Sequence, residues 1–143
     1  MSLKVSRILH AGYIFEFNET KIIFDPIFEN PFSRNCYAYP EIQFKVEEIR
    51  KLQLDAIFIS HVHDDHCSLD SLNLLDRETP VFIFCLLDEI PELIRQIGFK
   101  SVYQLRLNQA IQVGPFKMTP RRALDYDVDC LFQIQVENFN ILN

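Results

Sequence analysis

Ile57-Phe58-Ile59-Ser60-His61-Val62-His63-Asp64-Asp65-His66 is the stretch on which both fold and chemistry turn. Ala56–Ile59 is a continuous apolar run of strand length, suited to a strand buried on both faces. It leads directly into a cluster that holds three of the four histidines of the chain. From this chain's composition, H-x-H-x-D-H would arise by chance in roughly two of ten thousand such sequences. Imidazole and carboxylate are the donors that borderline zinc accepts, and a loop after a strand can turn several of them toward one point. Ligands are also commonly presented at the carboxyl ends of parallel strands. The competing reading is a solvated polar loop. The cluster is therefore read as a divalent-metal site for one or two ions, with zinc expected ahead of iron or manganese.

Upstream of this stretch the chain reads as strands. Tyr13–Phe17 and Lys21–Phe24 are aromatic and β-branched, and Asn18-Glu19-Thr20 between them suggests a hairpin, with Val5–Leu9 adding a strand before it. Asp25-Pro26 ends the second arm, because proline cannot donate to the ladder. The Asn-, Pro- and aromatic-rich residues up to Pro40 read as a surface loop bordering a site. Glu41–Leu52, with Ile42, Val46 and Ile49, predicts a short helix.

Downstream, Ser68 is the expected N-cap of a helix carrying Leu69, Leu72 and Leu75 on one face. Val81–Cys85 predicts a second buried strand, and a helix from about Asp88 to Ile97 should close on Gly98. Val102–Leu105, Ala110–Val113, Phe116–Thr119, Leu131–Val136 and Phe139–Leu142 then read as strands, with Gly114-Pro115 as a turn. Strand-helix alternation flanked by hairpins gives a mixed α/β layered fold.

Composition narrows the function. With 143 residues and 48% hydrophobic content the chain fits one domain with a real core. A net charge of −6 provides no basic footprint, so nucleic acid is not a favoured partner. Cys36, Cys67, Cys85 and Cys130 show no C-x-x-C spacing, and reduced thiols suit a cytoplasmic protein. No stretch approaches the roughly 20 apolar residues of a membrane helix.

The residues quoted at the outset resemble the hallmark of the metallo-β-lactamase superfamily, an apolar strand followed by (S/T)-H-x-H-x-D-H. His10-Ala11-Gly12, the hairpin, and Ile23-Phe24-Asp25-Pro26 are similar to the opening of its branch of sugar-phosphate lactonases and N-acyl phospholipid hydrolases. The resemblance implies an αββα sandwich. It also implies His61 and His63 as ligands of a first metal, with Asp65 and His66 as ligands of a second. Asp65 would in addition orient the attacking water, its catalytic role, and Asp64 fills a variable slot. Asp25 matches an aspartate that buttresses the ligand loop through hydrogen bonds; otherwise it is a strand end before a turn. His10 matches a histidine near the pocket, or is a strand-end histidine with a satisfied partner.

The chain also departs from the family. No histidine follows Pro120, where one normally completes the first metal site. Asp127 or Asp129 could substitute as oxygen ligands, and Arg121 and Arg122 could hold an anionic substrate, although such a run is more often a solvated loop. The family's bridging aspartate and final histidine would fall beyond Asn143. Residues 1–143 are therefore expected to form the N-terminal half of such a domain, truncated at its C-terminus or paired with another subunit as a homo-oligomer.

The expected function is a zinc-dependent hydrolase that attacks an ester, lactone or phosphodiester of a small-molecule or lipid-like substrate through metal-bound hydroxide. Di-iron proteins of the same fold resemble H-x-E-x-D in the ligand loop, and His63 stands here in place of the glutamate. A vestigial metal-binding module acting through protein contacts is the alternative.

Overall fold

Aromatic and β-branched residues at alternate positions need two faces to bury, and the hairpin supplies them. In the computed structural model, which describes residues 2–123 and 129–143, β1 (Lys4–Arg7), β2 (Tyr13–Phe17) and β3 (Thr20–Phe24) run antiparallel. Asn18, at a φ of 55°, makes the tight turn between the last two. From β3 onward the sheet is parallel, through β4 (Ala56–Ile59), β5 (Val81–Ile83) and β6 (Val102–Gln104), in the order β1-β2-β3-β4-β5-β6.

The crossovers contain α1 (Val46–Ile49), α2 (Leu69–Leu72) and α3 (Glu89–Gln96). All three lie on one face of this sheet, where Ile49, Leu72 and Ile94 pack against Ile23, Ile57 and Ile59. A second, antiparallel sheet covers the other face, in the order β10-β9-β8-β7. Its strands are β7 (Ile111–Val113), β8 (Phe116–Arg122), β9 (Cys130–Val136) and β10 (Phe139–Leu142). Between the sheets, Phe24, Phe58, Phe132 and Met118 are fully buried. The Phe24 ring stacks on Phe58 at 5.1 Å, and Phe132 packs against both.

The layers are thus helices, sheet and sheet, a metallo-β-lactamase arrangement. This explains why Ala56–Ile59 carries no polar residue: Ala56 and Phe58 face the second sheet while Ile57 and Ile59 face the helices. Among the described residues, no helix packs on the outer face of the second sheet.

The helix expected over Glu41–Leu52 is reduced to the single turn Val46–Ile49. Ile42 and Val46 remain exposed, so only Ile49 buries, and short helices rest on tertiary packing. Lys45 at its N-cap makes no side-chain capping bond. Ser68 does cap α2, accepting from the Ser71 N–H at 3.1 Å, but the helix is four residues long and Leu69 is exposed. Gly98 closes α3 at a φ of 110°, as its position past the last turn requires. β8 and β9 extend beyond the expected Phe116–Thr119 and Leu131–Val136, because they pair as far as Arg122 and Cys130.

Candidate metal centre

β3 and β4 are adjacent and parallel, so the residues leaving their carboxyl ends meet. Asp25 follows β3 and Ser60-His61 follows β4. Asp25 takes a left-handed φ of 41°, its N–H bonds the Phe58 carbonyl at 2.9 Å, and its carboxylate is buried. It accepts the Ser60 backbone N–H at 2.7 Å, the Ser60 hydroxyl at 2.6 Å and His66 Nδ1 at 2.8 Å.

These bonds settle the orientation of two imidazoles. Asp25 accepts on both carboxylate oxygens, so His66 donates from Nδ1 and leaves the Nε2 lone pair free. The Ser60 proton is given to Asp25, so its oxygen can only accept from His61 Nδ1 at 3.0 Å, and His61 Nε2 is likewise free. His63 and His66 are brought round by a tight turn in which the His66 N–H bonds the His63 carbonyl at 2.9 Å. The His61 ring lies 4.7 Å from that of His63 and 4.0 Å from that of His66. The second sheet is tied to the same place, since the Cys130 N–H donates to the Ser60 carbonyl at 3.2 Å.

Two donor triads result among the described residues: His61, His63 and Asp65, and His10, Asp65 and His66. Within each triad the ligand atoms lie within 4.8 Å of one another, and Asp65 belongs to both. Imidazole nitrogens with oriented lone pairs and a shared carboxylate fit a borderline divalent cation. The four expected ligands, His61, His63, Asp65 and His66, are therefore brought together, with Asp25 bonded behind them. His10 contacts the cluster directly, its Nε2 standing 3.0 Å from Asp65 Oδ2.

Electrostatics follow from this crowding. Burial first, and then the neighbouring His66, push the His61 pKa down. Burial also acts to lower His66, but its hydrogen bond to Asp25 and the charges of Asp25 and Asp65 prevail and raise it. For Asp65 burial acts upward and is outweighed by His66, its own backbone N–H and His10, so its carboxyl lies below the ordinary value.

A cavity of about 480 Å³ opens beside the cluster, lined by Tyr13, Asp25, Ser60, His61, His66 and Asp129 among others. Asp129 thus borders the site, and its charge acts to raise both His61 and His66. Asp127 lies outside the described residues. Arg121 and Arg122 do not line this cavity. The Arg121 guanidinium is held instead by Gln133 at 2.8 Å and Asn108 at 2.8 Å, and Arg122 is exposed at the end of β8. Asp64 turns outward and accepts the Ser33 hydroxyl at 2.8 Å, tying the 30–40 loop to the ligand loop. Ser60 joins these functional residues, and its position directly before His61, one residue beyond a buried strand, is the only mark of that role in the sequence.

Solved structures share this architecture. CmlA, a diiron beta-hydroxylase from Streptomyces venezuelae, matches with a TM-score of 0.72 and 15% identity, over 98% of this chain and 28% of that one. A possible metal-dependent hydrolase from Veillonella parvula matches with a TM-score of 0.71 and 13% identity, over 99% of this chain and 61% of that one. Igni18, a metallo hydrolase from Ignicoccus hospitalis, matches with a TM-score of 0.69 and 19% identity, over 97% and 58%. The chain therefore spans less than two thirds of the length of each. No curated protein matches it. Residues 4–142 match the family model described as the beta-lactamase superfamily domain. A parallel strand that delivers H-x-H-x-D-H to the end of a two-sheet sandwich is the local counterpart of that match, and the chain belongs to the beta-lactamase superfamily.

Proposed function

We propose that the protein is a metal-dependent hydrolase using zinc at the His61–His66 loop, acting on an ester, lactone or phosphodiester of a small-molecule or lipid-like substrate. The observation that carries this reading is the Asp25–Ser60 network, which leaves Nε2 of both His61 and His66 free to bind a cation. Both imidazoles line the same cavity.

His61, His63 and Asp65 would hold one cation, and Asp65 and His66 would face a second position. Bound there, zinc supplies Lewis acidity toward a carbonyl or phosphoryl oxygen and lowers the pKa of water to about 7. The chain's own residues supply the rest. Asp65, partly exposed and ionised at neutral pH, can accept a hydrogen bond from the attacking water and hold its lone pair toward the substrate. Tyr13 and Ala11 form part of the cavity wall against which the substrate would rest. The absence of glutamate at position 63 favours zinc over iron. The two N-terminal motifs support the lactonase and phosphodiesterase branch as the source of the substrate class.

The test uses protein stripped with chelator and reloaded with zinc, assayed on aryl ester, lactone and aryl phosphodiester panels. Turnover that requires metal and is lost in His61→Ala supports the reading. Stoichiometric zinc with no turnover on any panel member would favour a metal-binding module instead. Stoichiometric iron in protein as isolated would sink the zinc reading.

A further inference from the structure

We infer that His10 is a metal ligand, completing with Asp65 and His66 a second cation subsite that shares Asp65 with the His61–His63 subsite. This rests on the metal-centre reading above and extends its ligand set to a residue 51 positions before His61, on a different strand connection.

His10 Nε2 lies 3.0 Å from Asp65 Oδ2, and His66 Nε2 lies 3.8 Å from the same oxygen. Ligand atoms held at roughly 2.0–2.1 Å around tetrahedral zinc stand about 3.3 Å apart, so these separations bracket what one ion requires. Without a cation, a proton on His10 Nε2 serves the carboxylate that both would otherwise share with the metal.

Several further groups hold His10 in that place. Its backbone has a φ of 51°, the left-handed region that costs free energy in a residue with a side chain. Arg7 secures this conformation with a forked guanidinium, donating from Nη2 at 3.1 Å and Nε at 3.3 Å to the His10 carbonyl. The turn is closed on both sides by Ile8 N–H to Gly12 carbonyl and Gly12 N–H to Leu9 carbonyl, each at 2.8 Å. The imidazole itself packs against Phe32 at 5.0 Å and edge-on to His66 at 5.4 Å. An exposed histidine at a strand end needs none of this. A ligand does, because metal affinity depends on presenting the lone pair in place.

His66 Nδ1 is committed to Asp25, so each of the two histidines offers this subsite one nitrogen, and Asp65 has two oxygens with which to serve both subsites.

The experiment is a zinc titration of chelator-stripped protein, read by equilibrium dialysis with elemental analysis and by nitrogen-15 histidine NMR. Wild-type protein should bind two ions. The imidazole resonances of His61 and His63 should respond to one of them, and those of His10 and His66 to the other. His10→Gln should lose one ion at metal concentrations that saturate the wild type. Arg7→Gln, which keeps the ligand but loosens its backbone, should retain two ions and weaken one by about 10-fold. Two ions bound at unchanged affinity in His10→Gln would overturn the inference, as would His10 resonances that stay still throughout the wild-type titration. A wild-type protein that binds one ion through His61 and His63 overturns this inference alone. One that binds none overturns the proposed function as well.

Discussion

Asp25 and His66, 41 positions apart in the chain, meet through a 2.8 Å hydrogen bond from Nδ1 to a carboxylate oxygen, and the same carboxylate accepts two further bonds from Ser60. One buried acid therefore governs the tautomer of His66 directly and of His61 through the Ser60 hydroxyl. Replacing it should disturb both ligands together. Asp25→Ala is expected to lower zinc affinity about 10–100-fold, the usual cost of losing a partner behind a ligand. In metal-free protein each donor left stranded should cost about 1–3 kcal/mol. Calorimetric zinc titration and urea unfolding check the two halves separately, and unchanged zinc affinity would refute the orienting role.

Gly12 is needed for close approach. A Cβ placed there would stand 3.0 Å from the Asp25 carbonyl oxygen and 3.1 Å from that of Leu9, both backbone atoms that cannot swing aside. Gly12→Ala should destabilise the fold by about 1–3 kcal/mol through overpacking. Because the displaced segments carry Asp25 and His10, zinc binding should weaken as well. Thermal unfolding and a metal titration measure the pair of effects; a variant as stable as the wild type would contradict the contact.

The cysteines should divide sharply by reactivity. Cys36 is exposed, whereas Cys85 and Cys130 are buried and Cys67 is half-buried. Burial pushes the Cys67 thiol up to about 12 and raises Cys130 and Cys85 in the same direction. Since the thiolate is the nucleophile, an aromatic disulfide reagent should titrate Cys36 quickly and the other three only after denaturant is added. Mass mapping of the labelled peptides identifies the site, and rapid labelling of Cys130 would rule the packing out.

The metal-free protein should show two opposed pH dependences. His66 is raised above its ordinary value of 6.5, so its stabilisation is full below that pH and is lost as pH rises through its folded pKa. His61 is lowered, so its contribution is present above 6.5 and is lost as pH falls through its folded pKa. Across the range on either side of pH 6.5 the two oppose one another. His66→Gln should therefore lose more stability on acidification than the wild type, and His61→Gln less. Urea midpoints at both ends of that range decide it, and parallel profiles for the two variants would show the assignment to be mistaken.

The parts of this molecule that were legible in the sequence are those whose cause is local. The buried run Ala56–Ile59, the turn at Asn18, the Ser68 cap and Gly98 each state their conformation within a few residues. What misled was also local. Glu41–Leu52 has helical spacing, yet Ile42 and Val46 find nothing to bury against, and one turn survives. Arg121 is a different case: its partners, Gln133 on β9 and Asn108 in the loop before β7, decide where its side chain goes, and both are distant from it in the chain.

The sequence by itself determined that four side chains of metal-ligating chemistry would leave one strand end together, because His61, His63, Asp65 and His66 are covalently close and a six-residue loop cannot spread them far. Only the tertiary structure decided which nitrogens face the site and what else joins it. Parallel pairing of β3 and β4 puts Asp25 beneath Ser60, and the hairpin that precedes β3 carries His10 to Asp65 across 55 positions. Such contacts depend on register and on the direction of backbone turns, which hydrophobic pattern specifies for strands but not for the loops at their ends.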